Sequence, residues 1–122
     1  MLLKDLYSFS ILSVDNEEIK AKIEINKNSR IYKGHFPQMP VTPGVCQVLI
    51  IKEVVSKVLN KSLMLTESGN IKFLSMHNPA ETVGLLLTIN YKCISEDDIS
   101  VTGLLYSNNT KYLKFDGVFR ST

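Results

Sequence analysis

Three prolines at equal spacing, Pro37, Pro40 and Pro43, followed by Gly44, constrain this chain more than any other feature of its sequence. Each proline lacks a backbone N–H and fixes its own φ, so neither a helix nor a central strand can run through this segment. The residues that follow, Val45 to Asn60, contain no proline or glycine. The sequence therefore predicts an irregular connection that opens directly into a helix of about four turns.

The two halves of this predicted helix differ in their apolar pattern. The second half carries one apolar stripe at spacing i, i+3, i+4, i+7 and i+8, formed by Ile51, Val54, Val55, Val58 and Leu59. The first half is apolar nearly all round, with Val45, Val48, Leu49, Ile50 and Ile51. We therefore expect the first half to be buried on more than one side, by its own sheet and by a second subunit.

The rest of the chain favours β-strands. Ile19, Ala21, Ile23 and Ile25 alternate with polar residues, the period-two pattern of a half-buried strand. Residues 9–14 are its predicted hairpin partner, and further strands are predicted over residues 70–76, 83–93, 99–107 and 110–120. One antiparallel sheet wrapped around one helix buries this pattern economically. The expected fold is therefore α+β, with a hairpin, a long helix and then an antiparallel meander in a single domain over residues 1–122.

Composition excludes several classes of function. The 122 residues carry a formal charge of only +2, and the lysines are scattered among acidic residues, which argues against a nucleic-acid partner. No apolar run approaches the ~18 residues of a membrane span. Cys46 and Cys93 are the two cysteines, and without a secretory signal they are expected to be free thiols in the cytosol. The cysteines and histidines lack the close spacing of a metal site.

The segment Gly34-His35-Phe36-Pro37-Gln38-Met39-Pro40-Val41-Thr42-Pro43-Gly44-Val45 is the most specific part of the sequence. It resembles the GHFPxxPVxPGV signature of the β-hydroxyacyl-acyl carrier protein dehydratases, a hot dog-fold family in which this motif opens into the central helix. The resemblance extends more loosely over Asn70-Ile71-Lys72-Phe73 and Pro79. It implies a hot dog fold and a substrate that is a 3-hydroxyacyl thioester of acyl carrier protein or coenzyme A, with no cofactor.

The resemblance also assigns roles to single residues. His35 is expected to be the base that removes the α-proton, because an imidazole titrates near neutral pH. The Gly44 N–H, at the start of a helix, is expected to stabilise the enolate oxygen. Phe36, Pro43, Val45 and Leu49 are expected to contact the substrate. A structural histidine in a tight turn is the alternative for His35, and a polyproline-type ligand is the alternative for the three prolines.

Leu49 departs from the family pattern, because it occupies the position where the family has a Glu or Asp that acts in the partner subunit's site. Two other sources could supply the acid that Leu49 lacks. Glu53, one helical turn further on, could supply the acid, and the alternative for it is a solvated or interface carboxylate paired with Lys57. Alternatively, a related hot dog chain in a heterodimer could supply it. His77, beside Asn78-Pro79, is expected to be a surface residue.

Three functions therefore stay open at the level of sequence. The first is a dehydratase, as a homodimer or a heterodimer. The second is a subunit that binds acyl thioesters without catalysing their dehydration. The third is a hot dog thioesterase in which His35 activates a water molecule.

Overall fold

The computed structural model describes residues 3–33 and 41–122 as one six-stranded antiparallel sheet and one long helix, with two short helices. In chain order the elements are α1 Leu3–Leu6, β1 Tyr7–Asp15, β2 Glu18–Ile25, α2 Arg30–Lys33, α3 Gly44–Leu59, β3 Leu63–Phe73, β4 Gly84–Cys93, β5 Asp98–Ser107 and β6 Thr110–Ser121. The predicted α+β architecture is confirmed.

The hairpin and the helix form where the sequence predicts them. Strands β1 and β2 pair through a turn in which Asn16 and Glu17 both have positive φ, and the alternating residues of β2 from Ile19 to Ile25 are buried. Helix α3 ends at Asn60, whose φ of 53° places it in the left-handed region and whose N–H bonds the Ser56 carbonyl. A left-handed residue of this kind is a common helix terminator, since it ends the helical path while satisfying a free carbonyl.

The core lies between α3 and one face of the sheet. Ile50, Ile51, Val54 and Val55 of the helix are fully buried, and the strands contribute the other large apolar side chains. A methyl group at Gly103 of β5 would lie only 3.1 Å from Ile51 Cδ1, so the helix approaches the middle of the sheet closely. The second half of the helix is thus buried by its own sheet, as its stripe predicts.

The third strand differs from its prediction in extent and in partner. It runs over Leu63–Phe73 rather than residues 70–76, and it pairs with β6 at the far edge, in the order β1-β2-β4-β5-β6-β3. Only β4, β5 and β6 form a meander. Because most of this edge strand is exposed, its sequence lacks the apolar alternation of a half-buried strand. Register shifts near Thr66 and Gly69 also interrupt its pairing with β6. Strand β3 pairs with residues of β6 that lie some fifty positions further along the chain.

Candidate functional site

The N-terminus of α3 adjoins a pocket through Gly44. Pro43 precedes the first helical residue and offers no side-chain cap, while its carbonyl accepts the N–H groups of Cys46 and Gln47. The N–H groups of Gly44 and Val45 have no acceptor among the described residues. The first N–H groups of a helix have no partner within it, and its dipole favours negative charge there. This end of α3 can therefore stabilise an oxyanion.

Gly44 allows an aromatic ring to lie against the start of the helix. A Cβ placed at Gly44 would lie 2.6 Å from Phe73 Cζ and 2.7 Å from Phe73 Cε1, closer than real side chains approach. Phe73 is the last residue of β3, and 54% of it is exposed. Glycine is required at this position as long as the Phe73 ring keeps its place.

A pocket of about 370 Å³ lies beside this helix end and is lined by Val41, Thr42, Gly44, Gln47, Phe73, Leu74, Ser75 and Met76. Its lining is mostly apolar, and Phe73, Leu74 and Met76 are all largely exposed in the single chain. Ligand sites combine such apolar walls with a few polar groups that fix orientation. The pocket can therefore hold an apolar chain whose polar end lies near the Gly44 N–H.

A buried hydrogen-bond network adjoins the pocket, and we call it the Thr42 network after its central residue. Thr42 Oγ1 lies 2.7 Å from Tyr32 Oη and 2.6 Å from His77 Nδ1. His77 Nε2 lies 2.7 Å from the carbonyl oxygen of Thr82. The Thr42 N–H donates to the His77 carbonyl at 2.9 Å, and Gln47 Nε2 donates to the Thr42 carbonyl at 3.2 Å.

His77 is a member of this network, and its predicted surface position is wrong. The side chain is fully buried, and its ring meets Tyr112 edge-on at a centroid distance of 5.1 Å. Burial lowers the pKa of His77, and the bond to the Thr82 carbonyl offsets only part of that effect. The Asn78-Pro79 signal correctly marks a turn, but the imidazole beside it is buried in contact with Thr42, Thr82 and Tyr112.

Glu53 lies far from the pocket. It is nine residues beyond Gly44, which corresponds to ~13.5 Å along the helix axis. Its Oε1 accepts a hydrogen bond from the hydroxyl of Tyr7 in β1. Burial, and secondly this carboxylate, raise the pKa of Tyr7. Within the described part of the chain Glu53 makes no ion pair with Lys57, so the predicted i, i+4 pairing is wrong.

The other predicted site residues lie either outside the described residues or outside the lining of the pocket. His35 and Phe36 lie outside the described residues. Pro43, Val45 and Leu49 are not among the residues that line the pocket. Val45 is 68% exposed in the first turn of α3, and Leu49 is half-buried. Of the predicted residues that the structure describes, Gly44 alone lines the pocket.

Thr42, Gln47 and Phe73 line this pocket although the sequence did not predict them as site residues. Thr42 and Gln47 flank the motif glycine, so their proximity to it could have marked them. Phe73 ends a segment quoted only for its resemblance, and its contact with Gly44 depends on the long-range pairing of β3. Gln47 has one further property: its Oε1 is buried and accepts no hydrogen bond from the residues that the structure describes.

The described residues contain no group of three histidine, cysteine or acidic side chains that could hold a metal ion. They also include no helix long and apolar enough to cross a membrane. Cys46 and Cys93 form no disulfide, and Cys46 is buried.

Comparison with known proteins decides the family. The family model described as ApeI-like, ApeI dehydratase, matches residues 12–102, about three quarters of the chain. The chain belongs to the ApeI-like dehydratase family. This family assignment confirms the resemblance that the motif around His35 indicates.

Two curated relatives of this ApeI-like chain are 3-hydroxyacyl-[acyl-carrier-protein] dehydratases named FabZ. The one from Novosphingobium aromaticivorans is 31% identical over 81 residues, which cover 62% of this chain and 51% of that protein. The one from Rickettsia felis is 29% identical over 89 residues, which cover 66% of this chain and 61% of that protein. The matched region thus spans little more than half the length of these relatives.

Solved structures confirm the hot dog fold. The dehydratase heterocomplex ApeI:P from Xenorhabdus doucetiae matches with a TM-score of 0.70 and 17% identity, over 93% of this chain and 98% of that chain. A hypothetical thioesterase from Streptococcus pneumoniae, solved with coenzyme A, matches with a TM-score of 0.69 and 8% identity, over 94% and 86%. At these identities the likeness concerns the fold alone, because one fold serves many functions.

Proposed function

We propose that this chain is a dehydratase that removes water from 3-hydroxyacyl thioesters, with His35 as the base and the Gly44 N–H as the oxyanion donor. One observation carries the proposal: the Gly44 N–H, without a described acceptor, borders an apolar pocket at the start of α3. The motif that contains His35 leads directly into this helix. Membership of the ApeI-like family supports the same reaction.

The chemistry needs three groups. A base takes the proton from the carbon next to the thioester carbonyl, and the electron pair moves onto the carbonyl oxygen. A donor at the helix start stabilises this enolate oxygen in surroundings where water is largely excluded. The enolate then re-forms the carbonyl, the new C=C bond forms, and the C3–O bond breaks as the leaving hydroxyl takes a proton to become water.

The proton for the leaving hydroxyl is the open step. Leu49 cannot donate one, and general acid assistance is typically worth ~100- to 10,000-fold in rate. The Glu53 carboxyl is far from Gly44 along the helix and already accepts the Tyr7 hydroxyl. Glu53 as a relocated acid stays a prediction, and its distance favours another source.

A second candidate is a subunit of a heteromeric dehydratase, in which a related hot dog chain supplies the carboxylic acid. Two observations favour it. Leu49 occupies the position where the resemblance of the motif implies a carboxylate, and the solved ApeI:P neighbour is named a dehydratase heterocomplex. In this arrangement the chain supplies His35 and the Gly44 N–H, while the half-buried Leu49 packs against the partner. Either a homodimer or such a heterodimer would cover the exposed apolar residues around the pocket.

The test is hydration of a short trans-2-enoyl thioester, carried by acyl carrier protein and separately by coenzyme A. We expect slow hydration by the wild-type protein and none by His35→Ala. Leu49→Glu is expected to raise kcat by at least ~100-fold, because it restores an acid at the family position. Glu53→Gln is expected to leave the rate unchanged, whereas a large loss would identify Glu53 as the acid.

The remaining outcomes separate the alternatives. Thioester binding without hydration, with turnover on addition of a carboxylate-bearing partner chain, would establish the heteromeric candidate. Release of free thiol from a saturated acyl thioester would instead identify a thioesterase. If wild type and Leu49→Glu both leave the enoyl thioester unchanged, alone and with such a partner, the dehydratase proposal is wrong.

A further inference from the structure

Gln47 carries a buried polar atom that the described part of the chain does not pair. The residue is only 3% exposed, and it lies near the start of α3, where it lines the pocket beside Gly44. Its Nε2 donates to the Thr42 carbonyl at 3.2 Å, whereas its Oε1 accepts no hydrogen bond from the described residues. A buried polar atom without a partner costs free energy, and a ligand that donates to it would recover that cost.

The orientation of the Gln47 amide is fixed by Thr42. A carbonyl can only accept, so the NH₂ end of the amide must face the Thr42 carbonyl, because a flipped amide would set two oxygens against each other. Thr42 is itself held in place, since its N–H donates to the His77 carbonyl and its hydroxyl contacts Tyr32 Oη and His77 Nδ1. The amide is thus held at its nitrogen, and its oxygen is left as an acceptor for a ligand.

The polar groups that line the pocket differ in how readily they can bind a ligand. The N–H, carbonyl and hydroxyl of Thr42 are all engaged in buried hydrogen bonds. Ser75 is exposed, so water competes for its hydroxyl. The Gly44 N–H has no acceptor among the described residues. The pocket therefore offers one backbone donor at Gly44 and one buried side-chain acceptor at Gln47, between apolar walls.

A ligand that matches these two groups carries an acceptor and a donor on an apolar chain. Gly44 and Gln47 are three positions apart, so they share one face of α3 at a separation of ~4.5 Å along its axis. A 3-hydroxyacyl thioester has a carbonyl oxygen and a hydroxyl on two carbons that are separated by a single carbon. One such molecule can accept from the Gly44 N–H and donate to Gln47 Oε1. A saturated acyl thioester lacks the hydroxyl and would leave Oε1 unpaired.

We propose that Gln47 is a specificity-determining residue, whose Oε1 accepts a hydrogen bond from the C3 hydroxyl of a 3-hydroxyacyl thioester. This inference rests on the proposed function, in which the Gly44 N–H binds the carbonyl of the same molecule. Oε1 carries no proton, so Gln47 binds and orients the leaving hydroxyl but does not replace the acid that Leu49 lacks. A site that hydrogen-bonds a substrate hydroxyl rejects analogues without it, because its buried polar group is then left unpaired.

The first test measures the binding of two inert analogues that differ only in the hydroxyl. These are the 3-hydroxyhexanoyl and hexanoyl amides of pantetheine, because an amide acidifies the neighbouring C–H far less than a thioester and so avoids turnover. We expect wild type to bind the hydroxylated amide about 10- to 100-fold more tightly. Gln47→Met, which keeps a side chain of similar length without the amide, should lose this preference. Isothermal titration calorimetry gives the dissociation constants.

Ser75→Ala is the matched comparison, because Ser75 also brings a hydrogen-bonding side chain to this pocket. We expect Ser75→Ala to keep the wild-type preference for the hydroxylated amide. Circular dichroism and the urea midpoint of each variant show whether it is folded before its binding is compared.

The second test uses the wild-type protein alone and so needs no variant to fold. The two enantiomers of the 3-hydroxyhexanoyl amide direct the hydroxyl to opposite sides of the chain. Only one of them can reach Gln47 while its carbonyl stays at the Gly44 N–H. We expect their dissociation constants to differ by at least ~10-fold, since the weaker enantiomer leaves Oε1 unpaired.

Several results would overturn the inference. Wild type that binds neither amide, that binds both equally or that does not distinguish the enantiomers has no acceptor for the hydroxyl. A folded Gln47→Met protein that keeps the preference, or a loss of preference in Ser75→Ala alone, would show that another group binds the hydroxyl. If wild type prefers the hydroxylated amide but hydrates no enoyl thioester, the proposed function fails while Gln47 remains part of a site for hydroxyacyl chains.

Discussion

At the scale of single residues, Gly44 and His77 show what the sequence can and cannot predict. The motif predicts Gly44 at the start of the helix, because proline and glycine have strong local preferences that do not depend on the rest of the fold. His77 lies beside a turn, as Asn78-Pro79 predicts, but it is buried against Thr42 and Tyr112, each of which is 35 positions away. No local pattern encodes such a contact.

His77 should make the stability of the protein depend on pH. Burial lowers its pKa in the folded state below the usual 6.5, so the unfolded chain binds its proton first as the pH falls. The contribution of His77 is therefore fully present above pH ~6.5 and is lost as the pH falls from there through the folded-state pKa. One proton can change the free energy of unfolding by at most ~1.4 kcal/mol per pH unit.

The measurement is urea unfolding of wild type and His77→Gln between pH 7.5 and 5.5. Wild type should lose more stability than the variant over this range. Because His35 is present in both proteins, its titration cancels in the difference, and Asp5 titrates well below this range because its pKa is lowered by the Arg30 N–H. Parallel pH curves for the two proteins would show that His77 is not held neutral by the fold.

At the scale of elements, α3, β2, β4, β5 and β6 lie within one or two residues of their predicted bounds. Each has a buried face, and burial imposes the periodicity that the prediction uses. Strand β3 is the exception, since its exposed edge carries no such pattern and Ser68-Gly69 resembles a turn. The order of the strands likewise follows from contacts between distant residues rather than from local sequence.

Gly117 in β6 is a position where the pairing with β3 admits no side chain. A Cβ there would lie 2.7 Å from the Glu67 carbonyl oxygen and 2.9 Å from Phe115 Cζ, whereas a Cβ at Gly84 would meet nothing within 4 Å. Neither glycine has a positive φ, so backbone strain does not separate them. We expect Gly117→Ala to lower the free energy of unfolding by about 1–3 kcal/mol and Gly84→Ala to have little effect.

Urea midpoints at one protein concentration would measure this difference, with the slope of the transition as a check on two-state behaviour. Equal midpoints for the two variants would mean that β3 shifts to accommodate a methyl group at Gly117.

At the scale of the whole molecule, one end of the structure exposes more apolar surface than a lone chain should. Val45 and Met76 are 68% and 70% exposed, and Met76, Phe73 and Leu74 line the pocket next to Gly44. The all-round apolar first half of α3 predicts a second subunit here. An exposed apolar cluster of this kind is typical of a protein interface.

We therefore expect the purified protein to sediment as a dimer of its 13.7 kDa chain, and Val45→Asp to sediment as a monomer. Aspartate in the first turn of a helix is favoured by the helix dipole, so the variant should stay folded. Ile94→Asp is the matched control, because Ile94 is 55% exposed in the turn between β4 and β5. That turn lies at the end of the sheet opposite Phe73. A wild-type monomer would contradict the proposed homodimer and favour a different partner chain.

The position of β6 between β5 and β3 has a consequence for synthesis on the ribosome. Strand β3 leaves the ribosome early, but its neighbour in the sheet follows β4 and β5 in the sequence. Until β6 emerges, β3 and β5 each present an unpaired edge, and such edges recruit other chains. We expect this interval to be when the nascent protein most depends on chaperones. A nascent chain stalled with β5 outside the ribosome and β6 still inside it would be prone to aggregate.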